Sequence, residues 1–132
     1  MRIAVLTLVA SLSLVASVSA RADDLGAADA AFDHHDYSKA FELYQPLARA
    51  GDPSAQSAIG SLYYFGNGVP KDAERAYLWF SVAAQSDAPV AIVAQTNRDL
   101  VRSELKQSSI TVGDAMADVC IKSRYAACGL AL

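Results

Sequence analysis

The chain repeats itself at an interval of about 36 residues. The segment DYSKAFELYQPLARAGDPSAQSA aligns with DAERAYLWFSVAAQSDAPVAIVA. Asp36 falls on Asp72 and Tyr44 on Phe80, and basic and small residues are also matched along the alignment. A repeat of this length is typical of stacked helical units, each of which buries its apolar face against its neighbours. The repeat therefore constrains the chain to a stack of helices more strongly than any other feature does.

Each copy of the repeat has the start and stop signals of helices. Asp36 and Asp72 precede runs with apolar residues at helical spacing, where an aspartate caps the first free N–H groups. Gly51, Asp52 and Pro53 can end one helix and start the next. No segment has the pattern of a strand, so the fold class is all-α. The predicted helices are 24–32, 37–49, 54–65, 72–85, 89–105 and 112–122, with a turn or short helix from about 126.

Three of these helices have further predicted features. The first helix is weakly amphipathic and would cap the stack through Leu25, Ala28 and Phe32. Pro46 is expected to bend its helix, because proline removes an internal hydrogen bond. Thr111 and Asp114 favour a cap at the start of the last helix.

The stretch from Ala55 to Pro89 resembles one complete Sel-one-like repeat, a helix pair related to the tetratricopeptide repeat. The resemblance is partial before Ala55 and weak after about Leu100. It implies a short right-handed solenoid of antiparallel helix pairs, with about two to three repeats and a concave side that binds other proteins. It implies no shared catalytic residues. The residues that carry it are Ala55, Ile59, Gly60, Tyr63, Gly66, Gly68, Val69, Asp72, Ala76, Trp79, Ala83 and Ala84.

The N-terminus has the pattern of a secretory signal. Arg2 is followed by an uncharged segment from Ile3 to Ala20, and cleavage after Ala20 or Ala22 satisfies the small-residue rule. An uncleaved anchor is the alternative, but the segment is rich in Ser and Ala. We therefore expect a periplasmic or secreted protein with no stable membrane insertion after cleavage. The predicted organisation is 1–22 signal peptide, 23–53 cap helix and partial repeat, 54–89 full repeat and 90–132 C-terminal helix pair.

The charge of the chain argues against nucleic acid as a partner. The net charge is −3, and without residues 1–22 nine basic residues remain against 14 acidic ones, which gives −5. Nucleic acids and anionic membranes require clustered Lys and Arg, and the sequence contains no such cluster.

Cys120 and Cys128 are the two cysteines of the chain. An even count in an exported protein favours a structural disulfide, while free thiols and a reactive or metal-binding role remain alternatives. The spacing is wider than the C-x-x-C of redox motifs. In repeat proteins related to the Sel-one-like family, C-x7-C pairs join two neighbouring antiparallel helices across the turn between them. The resemblance implies the same arrangement for Cys120 and Cys128.

Two short segments could be taken for ligand sites. DHHD, from Asp33 to Asp36, combines residue types that bind zinc, but adjacent side chains seldom point at one ion and the repeat needs a polar turn here. LYYFGNGVPKD, from Leu62 to Asp72, is rich in glycine, but it lacks the spacing and the strand of a phosphate-binding loop. We interpret the first segment as a turn and helix cap and the second as a corner between two helices.

The function that these features favour is an exported module that binds a protein or peptide in the cell envelope, with no cofactor and no metal. The predicted binding residues are Tyr44, Tyr63, Tyr77 and Arg98, the last within a polar helix face from Gln95 to Lys106. That face is either solvated or a recognition surface for an acidic peptide. The alternative function is an envelope hydrolase acting on cell-wall or β-lactam substrates, although no catalytic set is visible. A stack this short has open ends, which also allow a homodimer.

Overall fold

The structure is a computed structural model that describes residues 21–128. Every regular element among these residues is helical, and consecutive helices from α2 to α5 pack side by side. The all-α repeat fold is therefore confirmed. The signal peptide and its cleavage site lie almost entirely outside the described residues. The helices are α1 (21–33), α2 (Tyr37–Arg49), α3 (Pro53–Phe65), α4 (Ala73–Ala83), α5 (Val90–Glu104) and α6 (Gln107–Lys122).

Aspartates start the three central helices, as the sequence predicts. Asp36, Asp52 and Asp72 each accept a hydrogen bond from the backbone N–H three residues later, at 3.3, 2.9 and 2.9 Å. Pro53 occupies the first turn of α3, where its missing N–H has no partner to lose. These caps fix where α2, α3 and α4 begin. α2 continues through Pro46 to Arg49, and a bend at this residue stays a prediction.

The glycine-rich segment after α3 is a corner between two helices. Gly66 and Gly68 have φ values of 71° and 72°, the left-handed region that glycine enters without steric cost. A Cβ on Gly68 would lie 2.5 Å from the carbonyl carbon of Tyr37, so the corner packs directly on the start of α2. The interpretation of this segment as a corner is confirmed.

α4 forms the centre of the molecule. All of its residues from Ala76 to Ala83 are buried, and it packs against α3, α5 and α6. Gly60 of α3 lies under the ring of Phe80, and a Cβ there would be 2.9 Å from two ring carbons. The predicted cap helix α1 adds Ala28, which is fully buried, with Leu25 and Phe32 packed around it.

The predicted start of the last helix is wrong. α6 begins at Gln107, and Thr111 lies inside it, where its hydroxyl donates to the Gln107 carbonyl oxygen at 2.9 Å. Asp114 accepts a hydrogen bond from Tyr77 and caps no helix. Serines and β-branched residues over 108–112 are poor helix formers, so the sequence favours a later start. Tertiary contacts of Ile110 and Gly113 with Tyr77 supply what the local sequence lacks.

The C-terminal part departs from a regular helix pair. α6 packs mainly against α4 and only near its start approaches α5. Cys120 and Cys128 form a disulfide, but Cys128 lies in a series of turns over 123–128 and not on a second helix. The expected bridge between two antiparallel helices is thus replaced by one that folds the turns over 123–128 back on α6. Both cysteines are buried in the same cluster as Trp79.

The turns after α6 also reach the first half of the molecule. The ring of Tyr125 lies over Gly51, where a Cβ would be 2.5 Å from a ring carbon. Gly51 has a φ of 92° and closes α2. The turns over 123–128 are therefore held to the corner between α2 and α3. Over residues 21–128, none of the helices combines the length and the apolar character needed to cross a bilayer.

Candidate functional site

Three helices form a groove on one side of the molecule. α4 supplies its floor, α5 one wall and α6 the other, and the groove has a volume of about 540 Å³. The polar residues that line it are four apart along each segment and therefore lie in rows on one face. We call this feature the α5–α6 groove, and its polar lining consists of Tyr77, Ser81, Gln85, Arg98, Arg102, Asp114 and Asp118.

The groove exists because α5 and α6 are held together at one end only. The two helices are joined by Leu105 and Lys106, and near this link Val101 and Ile110 pack with Tyr77 in one apolar cluster. Gly113 leaves room for the tyrosine ring, since a Cβ there would lie 2.6 Å from it. Beyond the link both helices pack on α4 and not on each other. A gap is therefore left between them, with α4 beneath it.

The closed end of the groove is fixed by a hydrogen bond. The Tyr77 hydroxyl donates to Asp114 Oδ1 at 2.6 Å. Burial, followed by this hydrogen bond and the negative charge of Asp114, raises the pKa of Tyr77, while the positive charge of Arg102 acts in the opposite direction. Tyr77 therefore stays a neutral donor at ordinary pH, and the Asp114 carboxylate is oriented towards the floor.

The two walls carry opposite charges. Arg98 and Arg102 lie on α5, and Asp114 and Asp118 lie on α6. Arg98 binds Asp99 through Nε and Nη2 at 3.0 and 2.8 Å, and Asp118 binds Lys122 on its own helix. Ion pairs this exposed contribute about 0–1 kcal/mol each, so they can be exchanged for contacts with a ligand. The α5–α6 groove thus has a basic wall and an acidic wall.

The floor also contains a buried hydroxyl beside Tyr77. Ser81 is 5% exposed, and its interaction with the Tyr77 hydroxyl acts against the rise in the pKa of Tyr77. It lies one helical turn after Tyr77, between the two charged walls.

Tyr63, a predicted binding residue, lies in a different place. It lines a narrow cleft of about 40 Å³ between α2, α3 and α4, which Trp79 and Cys128 also line. Its ring contacts Phe41 edge to face with centroids 5.5 Å apart, and Arg75 lies 5.5 Å above it. The Tyr63 hydroxyl also accepts a hydrogen bond from Arg75 Nη1 at 3.4 Å. These contacts hold the ring in one orientation.

Tyr44, another predicted binding residue, is part of the core. Its side chain is 3% exposed, and its hydroxyl donates to Asp29 Oδ1 at 2.6 Å. Of the four predicted residues, the structure brings together Tyr77 and Arg98 and places Tyr44 and Tyr63 elsewhere. A binding role for each of the four stays a prediction. Tyr44 does not line the groove, whereas Tyr77, which is 1% exposed, forms part of its floor.

Several lining residues were not singled out from the sequence. Asp114 and Asp118 share the four-residue spacing of Arg98 and Arg102, and this spacing is the signal that could have pointed to a second charged row. The sequence does not show that α6 crosses α4 opposite α5, so the two rows could not be placed face to face.

The DHHD segment is a turn and a helix cap, as predicted. Asp36 caps α2, and His35 has a φ of 63° with its ring stacked on Tyr37 at a centroid distance of 5.6 Å. His35 Nδ1 lies 3.1 Å from the Asp33 carbonyl oxygen. Across residues 21–128, no three His, Cys, Asp or Glu side chains are grouped as metal ligands.

Comparison with protein families identifies the repeats. The Sel1 repeat model matches residues 34–52 and again residues 53–87, which correspond to α2 with its leading turn and to the α3–α4 pair. The chain therefore contains Sel1-like repeats over residues 34–87. Sel1 repeats are generally protein–protein interaction modules, and proteins of this family are typically scaffolds without enzymatic activity. Comparisons with curated protein sequences and with solved structures gave no match.

Proposed function

We propose that this chain is an exported interaction module that binds a polypeptide segment of an envelope protein in the α5–α6 groove. The observation that carries the proposal is the groove itself, with a volume of about 540 Å³, a fixed floor and two walls of opposite charge. Sel1 repeats generally bind proteins, which makes a polypeptide the favoured occupant.

Two features support export. The first 22 residues have the composition and order of a secretory signal. Cys120 and Cys128 are paired in a buried disulfide, a bond that forms and persists in oxidising compartments. A periplasmic or secreted location accounts for both features.

The groove suits a partner better than the cleft beside Tyr63 does. That cleft, at about 40 Å³, has room for no more than a few water molecules and is bordered by side chains already in contact with one another. The groove is more than ten times larger, and its charged walls are partly exposed. We therefore place the partner against α4, α5 and α6.

Crosslinking in living cells tests this proposal. A photoreactive amino acid placed at Gln85 or Ala115, in the groove, should trap an envelope protein after irradiation. The matched control is the same amino acid at Glu42, an exposed residue of α2 outside the groove. The expected result is a crosslinked band from the two groove positions that is absent from position 42. Equal trapping at all three positions, or none at the groove positions, would contradict the proposal.

A further inference from the structure

The α5–α6 groove presents its polar groups in levels. At the linked end, Tyr77, Arg102 and Asp114 belong together, because Tyr77 donates to Asp114 and the charge of Arg102 acts on Tyr77. α4 runs antiparallel to α5, as the packing of Tyr77 on Val101 and of Ala83 on Ala94 shows. The residues that lie one helical turn further from the link, on each of the three helices, form the second level.

The second level consists of Ser81, Arg98 and Asp118. Each level therefore has a cation on one side, a carboxylate on the other and a hydroxyl-bearing residue between them. Residues four apart on a helix are separated by about 6 Å along its axis. The groove thus repeats the same charge arrangement at an interval of about 6 Å.

An extended peptide has a matching interval. Alternate side chains of a strand point to the same side and are about 6.6–6.8 Å apart, and the residues between them point to the opposite side. A strand with acidic residues at alternate positions and basic residues between them would face Arg98 and Arg102 with its carboxylates. The same strand would face Asp114 and Asp118 with its cations.

A helical partner is the alternative occupant, because its side chains four apart are also separated by about 6 Å along the helix axis. A helix bonds its backbone groups internally, whereas an extended segment leaves N–H and C=O groups to bond the polar side chains of a groove. The polar lining of the floor therefore favours an extended segment.

From these distances and charges, we infer that the groove recognises an extended polypeptide segment in which acidic and basic side chains alternate. This inference rests on the proposed function and names the chemical class of its partner. Charge order, and not net charge, is what the two walls select, because each wall attracts one sign and repels the other.

Peptide binding to the disulfide-bonded chain tests the inference. The probe is a fluorescein-labelled peptide of four Glu-Lys repeats, followed by fluorescence anisotropy. The comparison peptide has the same composition in two blocks, four Glu followed by four Lys, and a third peptide has alternating Glu and Ser. The expected result is that the alternating Glu-Lys peptide binds at least about tenfold more tightly than either of the others, and that added salt weakens its binding.

Charge reversal of the walls provides the second arm. Arg102→Glu and Asp118→Lys each reverse one exposed wall residue, and each should weaken binding of the alternating peptide about tenfold. Lys39→Glu and Glu42→Lys make the same two changes on α2, outside the groove, and should leave binding unchanged. Thermal unfolding of all four variants verifies that the fold is retained.

The outcomes separate this inference from the proposed function. The charge-order inference would be overturned if the block peptide or the Glu-Ser peptide bound as tightly as the alternating Glu-Lys peptide. It would also be overturned if the α2 control variants weakened binding as much as the groove variants do. If no peptide binds but crosslinks still form from Gln85 and Ala115, the charge-order inference is wrong and the proposed function stands. If those crosslinks are absent, the proposed function itself fails.

Discussion

Gly60 lies in the middle of α3, directly under the ring of Phe80. Alanine is a better helix former than glycine by about 1 kcal/mol, but a Cβ here would be 2.9 Å from two carbons of a ring that is 2% exposed. Such overpacking costs about 1–3 kcal/mol. We therefore expect Gly60→Ala to lower the free energy of unfolding by up to about 2 kcal/mol, measured by urea denaturation.

Gly26 provides the matched control for this substitution. It also lies in a helix, α1, but a Cβ there would meet nothing within 4 Å. Gly26→Ala should therefore raise the free energy of unfolding by about 0.5–1 kcal/mol. If Gly60→Ala and Gly26→Ala both raised the free energy of unfolding, the prediction for Gly60 would be wrong, because the Phe80 ring would then move aside without a cost in stability.

Tyr44 gives the molecule a stability that depends on alkaline pH. Burial, and then the hydrogen bond to Asp29, raises the pKa of Tyr44 well above its usual value of about 10. The unfolded chain therefore releases this proton first as the pH rises. Protonated Tyr44 therefore makes its full contribution to the free energy of unfolding below about pH 10. Above that pH the contribution falls by up to about 1.4 kcal/mol for each pH unit.

Tyr44→Phe should remove this dependence. Near pH 7 the variant should be less stable by about 1 kcal/mol, because it lacks the hydrogen bond to Asp29. As the pH rises from about 10 to about 11, the difference between the two proteins should shrink by up to about 1.4 kcal/mol. Urea denaturation over this pH range measures the difference, and parallel stability curves would contradict the prediction.

At the scale of elements, the helices with local signals were predictable. α2, α3 and α4 begin at aspartate caps, and glycines with positive φ follow α2 and α3, so their limits can be read from short stretches of sequence. α6 begins without a side-chain cap and crosses a stretch of weak helix formers. Its start depends on Ile110 and Gly113 meeting Tyr77, a contact more than 30 residues away in the chain. Patterns along a few turns of the sequence contain no information on such a contact.

The C-terminal turns are the element that depends most on the disulfide. The bridge closes a segment with a sequence separation of 8, for which the chain-entropy estimate is about 2.5 kcal/mol. Loss of the bridge also weakens the hold on Tyr125, which covers Gly51. We expect reduction to lower the free energy of unfolding by about 2–3 kcal/mol, measured by urea denaturation with and without dithiothreitol.

A double variant, Cys120→Ala with Cys128→Ala, controls for other effects of the reductant. It should have about the stability of the reduced protein, or somewhat less because both side chains are buried and become smaller. It should not respond to dithiothreitol. A response of this variant, or no change in the parent chain on reduction, would contradict the expected role of the bridge.

At the scale of the whole molecule, the groove could not be predicted from the sequence. Its residues come from three helices, and the sequence predicts two of its charged or aromatic members, Tyr77 and Arg98, without placing them opposite Asp114 and Asp118. The repeat pattern favours a regular pair of α5 and α6, in which no such gap would exist. The groove arises because α6 packs on α4 instead, and that choice depends on packing across the whole chain.

Export is a property of the whole chain, and it leads to a prediction about the protein recovered from cells. If residues 1–22 direct secretion, mass spectrometry of the chain from the periplasm or medium should find an N-terminus after Ala20 or Ala22 and no alkylatable thiol at Cys120 or Cys128. A variant without residues 2–22 should stay in the cytoplasm, where the same two cysteines are kept reduced and react with iodoacetamide after denaturation.

This variant keeps every residue from position 23 onwards. A difference in the oxidation state of its cysteines is therefore due to the compartment and not to the sequence around them. Recovery of the parent chain in the cytoplasm, uncleaved and with both thiols reactive, would rule out the proposed location while leaving the α5–α6 groove as a binding surface to be tested there.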